Sequence, residues 1–254
     1  MYADVQKCCT CPTREGTRQA RVCHDSSWQT LAQIIRIYVT HEQEHTVSAY
    51  LPNVADKVVA IAASWGGIRA LSEILSALPA DFPAAIVVVQ HLSSLYRSYM
   101  PELLNRRTPL RVKHAEAGEL LLPRTVYIAV PGKHLLVNLD GTFSLSDAAK
   151  VNFVRPAADK LFASVATTYK SRAIAVVLTG RQSDGLMGVL AIKKHGGMVI
   201  AQDEATSECF DMPKAAISTG KVDWVLPLQA IASMLVNLVK TETAASIQRI
   251  SSAS

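Results

Sequence analysis

The chain is 254 residues long, 49% hydrophobic but only 6% aromatic, and it carries a formal charge of +5. That length buries a full core and suits one domain with an appendage. The basic residues fall in small clusters such as Arg106-Arg107 and Lys193-Lys194; with few aromatics and no basic stripe they argue against nucleic-acid binding, whereas an acidic protein partner fits them. No apolar run reaches the roughly 18–20 residues of a membrane span, and residues 1–7 do not open a secretory signal, so the cytoplasm is the expected compartment and no membrane insertion is expected.

Residues 1–54 read as an N-terminal appendage, partly disordered. It holds Cys8, Cys9, Cys11 and Cys23, with a fifth cysteine, Cys209, isolated far along the chain. An odd count without a secretory signal argues against a disulfide framework. Cys9-Thr10-Cys11 followed by Cys23-His24 departs from the usual C-x2-C zinc clip, so a reduced tail is expected. Leu31, Ile34, Ile35 and Tyr38 share one face of a short helix. His41-Glu42-Gln43-Glu44-His45 matches H-E-x-x-H, the zinc metalloprotease pattern in which two histidines one turn apart hold the metal and the glutamate is the base. It follows only a short amphipathic turn and has no third ligand in evidence. A solvated linker is therefore expected, and no metal.

From residue 55 to 240, strand and helix patterns alternate. Lys57–Ala63 predicts a strand, Ile68–Leu78 a helix closed by Pro79, Ala85–Gln90 a strand, and Tyr96–Arg106 a helix. Short strands are then expected at 110–114, 125–129, 135–139 and 142–145, with Pro131-Gly132 and Asp140-Gly141 supplying hairpin turn chemistry, so this stretch predicts an antiparallel insertion. Pro156 opens a helix running to Tyr169, Ala173–Leu178 is a strand, and Gly185–His195 is a helix stopped by Gly196-Gly197. Met198–Ala201 is a further strand and Leu228–Val239 the last long helix; residues 241–254 read as a flexible tail. The alternation predicts an α/β fold, a mostly parallel, doubly wound sheet flanked by helices, with a small antiparallel hairpin insertion.

Three of the apolar strands stop at polar residues: the first at Ser64, the second at His91, and the strand ending at Leu178 just ahead of Thr179-Gly180-Arg181-Gln182-Ser183-Asp184-Gly185. Parallel strands align their carboxyl ends along one edge, outside which ligands bind. Ser64, His91 and Asp184 are therefore expected at one site. A serine hydroxyl needs a base within hydrogen-bond reach and donors for the oxyanion it creates; His91 is the candidate base, and Asp184 would fix its tautomer. The backbone N–H groups of Trp65, Gly66 and Gly67 would face the crevice. Taken singly, each residue also has an ordinary role: Ser64 as a helix N-cap, His91 at the core edge, Asp184 in a turn or cap. The chain order Ser, His, Asp and the alanine at position 62 differ from the α/β-hydrolase elbow, and Gly66-Gly67 fits neither a dinucleotide fingerprint nor a P-loop.

Six ordered segments resemble the catalytic domain of the chemotaxis receptor methylesterases, the CheB family. They are Ala62-Ala63-Ser64-Trp65-Gly66-Gly67, Val89-Gln90-His91, the stretch from Ala129 to Leu135, Arg155 to Phe162, Leu178 to Gly185, and Ala201-Gln202-Asp203-Glu204 followed by Phe210-Asp211-Met212-Pro213. The resemblance implies a catalytic domain over about residues 55–240, with Ser64 as nucleophile, His91 as base and Asp184 as its orienting carboxylate. It places Trp65, Gly66, Arg181 and Met212 at the oxyanion and substrate-binding positions. The implied reaction is hydrolysis of γ-glutamyl methyl esters on the cytoplasmic helices of methylated chemoreceptors, with methanol released and glutamine deamidation as a related activity, and no cofactor or metal. The sequence departs from the family pattern in having Trp65 for threonine, Arg181 for methionine and Asp211 for glycine. These exchanges leave open a catalytically altered binding module or an esterase for another substrate. The residues ahead of the domain are too few for the family's receiver domain, so phosphorylation in cis is not expected to regulate it.

Overall fold

The computed structural model describes residues 54–92 and 98–251, with side chains described to residue 240. The cysteine cluster, the Leu31–Tyr38 helix and the H-E-x-x-H segment lie outside the described residues, as does the start of the helix expected from Tyr96.

Val58–Ala63 (β1), Ala85–Gln90 (β2) and Ala173–Val177 (β7) are buried at every position. A strand covered on both faces has no polar side to show, which is why these segments read as unbroken apolar runs. Between β1 and β2 runs Gly67–Ser76 (α1), and Met100–Asn105 (α2) follows β2. Arg111–His114 (β3), Thr125–Ile128 (β4), His134–Val137 (β5) and Phe143–Ser146 (β6) come next. Ala158–Tyr169 (α3) leads through a short 3-10 turn into β7, and Leu186–Lys194 (α4) into Met198–Gln202 (β8). Asp211–Ser218 (α5), Trp224–Leu226 (β9) and Leu228–Ser251 (α6) complete the order.

Seven strands form one sheet in the order β3-β4-β2-β1-β7-β8-β9, every pair parallel. Side chains alternate between its faces. Val59, Ile61 and Ala63 join a core with Leu71, Ile74 and Leu75 of α1 and Ile231 and Leu235 of α6, while Val58, Ala60 and Ala62 join another with Leu161, Phe162 and Val165 of α3. At Gly188 a Cβ would lie 2.5 Å from that of Phe162, so α3 and α4 pack at a distance only glycine permits. The chain runs from β1 to the β2 side and later crosses to β7 on the other flank. The switch point of this doubly wound sheet therefore lies beside the carboxyl end of β1.

The hairpin insertion is smaller than the sequence suggests. Only β5 and β6 pair antiparallel, across the Asp140-Gly141 turn, whereas β3 and β4 are parallel strands of the main sheet. All four residues of β4 are buried, as a strand inside a covered sheet requires. The last helix continues past Val239 to Ser251, with no proline or glycine after Leu228 to stop it.

The Tyr169 hydroxyl at the end of α3 is buried without a hydrogen-bond partner among the described residues, and burial pushes its pKa from 10.0 up to about 12. The folded state then holds this proton where the unfolded chain releases it, so stability falls as pH rises from 10.0 towards about 12. Tyr169→Phe, which keeps the ring under Arg172, is expected to leave stability at pH 7 equal or higher and to flatten that alkaline decline. Thermal melts of both proteins across pH 9–12, an interval set by this titration, check it.

Candidate active site

The register of β1 against β2 pairs Ala63 with Gln90, and the His91 N–H continues the ladder to Ala63 O (3.0 Å). Ser64 and His91 are thus neighbours at the ends of adjacent parallel strands, about 4.8 Å apart in backbone spacing. On the other flank Ser64 N–H donates to Thr179 O (3.0 Å), carrying the β1–β7 ladder one step further. Two more bonds fix the Ser64 carbonyl, one from Gly67 N–H (2.9 Å) and one from the buried Gln90 Nε2 (2.7 Å). The chain then turns through Gly66 at φ 78°, the N-cap of α1. Ser64 is accordingly not the helix cap.

His91 Nε2 meets Asp184 Oδ2 at 2.8 Å. Asp184 is 1% exposed, and its carboxylate also accepts the N–H groups of Ala158 and Asp159, the first two residues of α3. Two helix N-terminal donors and an imidazole hold a buried carboxylate in one orientation. A carboxylate accepts and does not donate, so Nε2 carries the imidazole proton and Nδ1 keeps its lone pair. Asp184 does not cap α4, which follows it; the N-cap there is Gly185.

A second carboxylate serves α4. Asp159 Oδ1 accepts Gly185 N–H (3.0 Å) and Gly188 N–H (2.8 Å). Burial raises the Asp159 pKa above its ordinary value, opposed by the Gly188 N–H, with the nearby Asp184 charge raising it further. The α3 end of this arrangement is itself held. His134 Nδ1 accepts Ala157 N–H (3.2 Å), and its Nε2 bonds Ala149 O (3.0 Å), which makes Nε2 the protonated nitrogen.

Trp65, Gly66 and Arg181 have backbone N–H groups without a protein acceptor among the described residues. The Gly67 N–H, expected to face the crevice, is instead used by Ser64 O. Met212 is 1% exposed and gives its N–H to Gly180 O (3.0 Å). Its sulfur packs against Gly180, close to Ser64. A Cβ on Gly180 would strike Met212 Sδ and come within 2.7 Å of Ser64 Cβ, so this loop seats directly on the serine.

Four residues that sequence reasoning did not single out hold the arrangement. The Thr179 hydroxyl donates to Trp65 O (2.9 Å) and accepts Cys209 N–H (2.9 Å), and Gln202 Oε1 accepts Thr179 N–H (2.8 Å). With Gln90, they share a legible signal, a buried polar residue at the end of an apolar strand. Asp159 has none beyond its place in a helix's first turn. Among the described residues, no group of three or more His, Cys, Asp or Glu side chains is arranged to hold a metal ion. No helix there is long and apolar enough to cross a membrane.

Comparison with known proteins points the same way. The family model for CheB methylesterase matches residues 59–235. The protein-glutamate methylesterase/protein-glutamine glutaminase of group 3 operon of Rhizobium meliloti is 44% identical over 183 residues, 72% of this chain and 52% of that protein. A protein from Moorella thermoacetica named protein-glutamate methylesterase/protein-glutamine glutaminase is 42% identical over 187 residues, 72% of this chain and 44% of its own. The chain thus spans about half the length of these curated relatives. A putative protein of the same name from Leptospira interrogans is 39% identical over 182 residues and covered to 94%. The crystal structure of the Thermotoga maritima CheB methylesterase catalytic domain superposes with a TM-score of 0.70 at 43% identity, covering 72% of this chain and 98% of that one.

Two consequences are measurable. Gly180→Ala should displace the Ser64 loop, lowering Ser64 labelling by a fluorophosphonate by about 10²-fold for a stability loss of only about 1–3 kcal/mol; undiminished labelling contradicts the seating of Gly180 on Ser64. Asp159→Asn keeps an acceptor and removes a buried charge, so stability at pH 7 should hold or rise. Because the folded pKa is raised, wild type gains stability from this group as pH falls through that pKa towards the ordinary value of 3.8. Melts over pH 4–7 should show the gain in wild type and not in the variant.

Proposed function

The chain belongs to the CheB methylesterase family, and from that premise we propose that it is a cytoplasmic serine hydrolase that removes methyl groups from γ-glutamyl methyl esters of chemoreceptors. The observation that carries the proposal is the strand register setting Ser64 beside His91, whose far nitrogen is held by Asp184 at 2.8 Å. Ser64 Oγ attacks the ester carbonyl while His91 Nδ1 takes its proton, and Asp184 stabilises the imidazolium that forms. The tetrahedral oxyanion is received by backbone N–H groups drawn from Trp65, Gly66 and Arg181, donors without acceptors among the described residues. The imidazolium then protonates the departing methanol and leaves a glutamyl ester on Ser64. Water, deprotonated by the same nitrogen, releases the glutamate carboxylate and restores the hydroxyl.

Glutamine deamidation, which the names of the relatives from Rhizobium meliloti and Moorella thermoacetica include, uses the same groups with ammonia as the leaving group. The partners in this proposal are the methylated cytoplasmic helices of receptors, and neither metal nor cofactor takes part.

Methanol release from methylated receptor tests the proposal. Ser64→Ala is expected to lower it by about 10⁴-fold or more, the size of losing a nucleophile that acts with its base as a unit. His91→Ala should fall comparably, and Asp184→Asn by somewhat less. Undiminished release in Ser64→Ala rules the mechanism out. Absent release from wild type, together with no fluorophosphonate labelling of Ser64, supports instead a silent binding module.

A further inference from the structure

The two residues that depart from the family pattern on either side of the serine touch each other. The Arg181 guanidinium lies over the Trp65 ring, 4.5 Å from its centroid. Trp65 follows Ser64 directly and is 56% exposed, and Arg181 follows Gly180, which packs against Ser64. The stack therefore joins the two loops that flank the serine, at the solvent side of the crevice. The Trp65 carbonyl is tied to the Thr179 hydroxyl at 2.9 Å, so the ring's backbone is anchored to the strand end from which Arg181 departs.

Stacking orders a guanidinium through its face and leaves the N–H donors at its edge free. Among the described residues Arg181 has this ring contact and neither an ion pair nor a hydrogen bond. The contrast is with Arg69 and Arg172, which meet Glu208 and Asp56, and Arg155, which is bonded to the carbonyls of Asp147 and Ala148. An oriented cation with an unused planar edge fits a carboxylate in bidentate geometry. Its place beside the nucleophile sets the position of that carboxylate close to the ester being cleaved.

Resting on the methylesterase reading, we propose that the Trp65–Arg181 stack is an anion subsite that selects glutamyl methyl esters neighboured by a carboxylate, so that the enzyme prefers sites in acidic segments of its substrate. Trp65 supplies the platform and Arg181 the charge. A lysine at 181 would keep the charge but lose the planar edge and most of the stacking.

Binding to the Ser64→Ala protein separates this subsite from turnover. Two fluorescent peptides are compared, each carrying one γ-methyl glutamate and differing only in whether the flanking residues are glutamate or glutamine. The protein with Arg181 is expected to prefer the acidic peptide by about tenfold at low salt, with the preference shrinking as salt is raised. R181M should bring the two affinities within about twofold of each other, R181K should retain part of the preference, and W65T should weaken it by loosening the guanidinium. Circular dichroism confirms that each variant is folded. Equal affinities with Arg181 present, a preference that survives R181M, or failure of either peptide to bind overturns the proposal. If the preference holds and is lost in R181M while wild type releases no methanol, the anion subsite stands and the failure belongs to the proposed reaction.

Discussion

A buried carboxylate organises this molecule. Taken out of water, Asp184 would be costly unless its oxygens were met by donors. The fold supplies three, the first two N–H groups of α3 and His91 Nε2. These backbone groups lack partners in any isolated helix, so the bonds satisfy the helix terminus and the acid together. The converse holds 25 residues away, where Asp159, in the first turn of α3, accepts the Gly185 and Gly188 N–H groups at the start of α4. Each helix thus has its N-terminus satisfied by an acid from the other's neighbourhood. The close packing at Gly188 against Phe162 is what brings the two termini near enough.

The rest of the fold serves this junction. The β5–β6 hairpin contributes His134, which receives the Ala157 N–H just ahead of α3 and so fixes where the helix starts. A structural element that the sequence presents as an insertion is therefore part of the path from sheet to site. From the opposite side, Thr179, Gln202 and Gln90 bind the backbone around Ser64. Each is a polar residue in a buried position, and each has its cost reduced by bonding a main-chain group, Gln90 as a second donor to the Ser64 carbonyl that the Gly67 N–H also meets. Gln90 does this incompletely, since its Oε1 has no partner among the described residues.

What could be read from the sequence follows from the range of the interactions concerned. The β1, β2 and β7 runs are apolar because both faces are covered, a local property, so they were legible together with the polar residues that end them. Parallel pairing brought Ser64 and His91 into one site without any detailed knowledge of the loops. Pairing direction is not local. Turn residues between 129 and 141 suggested antiparallel neighbours for all four short strands, yet only β5 and β6 take that form. The reciprocal helix caps were hidden for the same reason. They join side chains to backbone N–H groups about 25 residues distant, and the backbone carries no sequence label. Helix α5 was not among the predicted elements; its Pro213 sits in the first turn, where proline is tolerated.

Strand order also explains how the acid comes to meet the imidazole. Ser64 ends β1, the middle strand of β2-β1-β7, while His91 ends β2 and Asp184 lies in the loop beyond β7. The acid therefore reaches the imidazole from the flank of β1 opposite to β2. The bond observed at 2.8 Å is from Nε2. On the proposed mechanism the base is then Nδ1, the reverse of the arrangement in which the acid holds Nδ1 and Nε2 serves the serine. Both nitrogens have the same chemistry once the other is held by a carboxylate, so proton transfer is not impaired. The β1–β2 register sets the spacing of the two backbones, and the Asp184 bond to Nε2 fixes the ring's rotation, so sheet and acid together decide where Nδ1 stands.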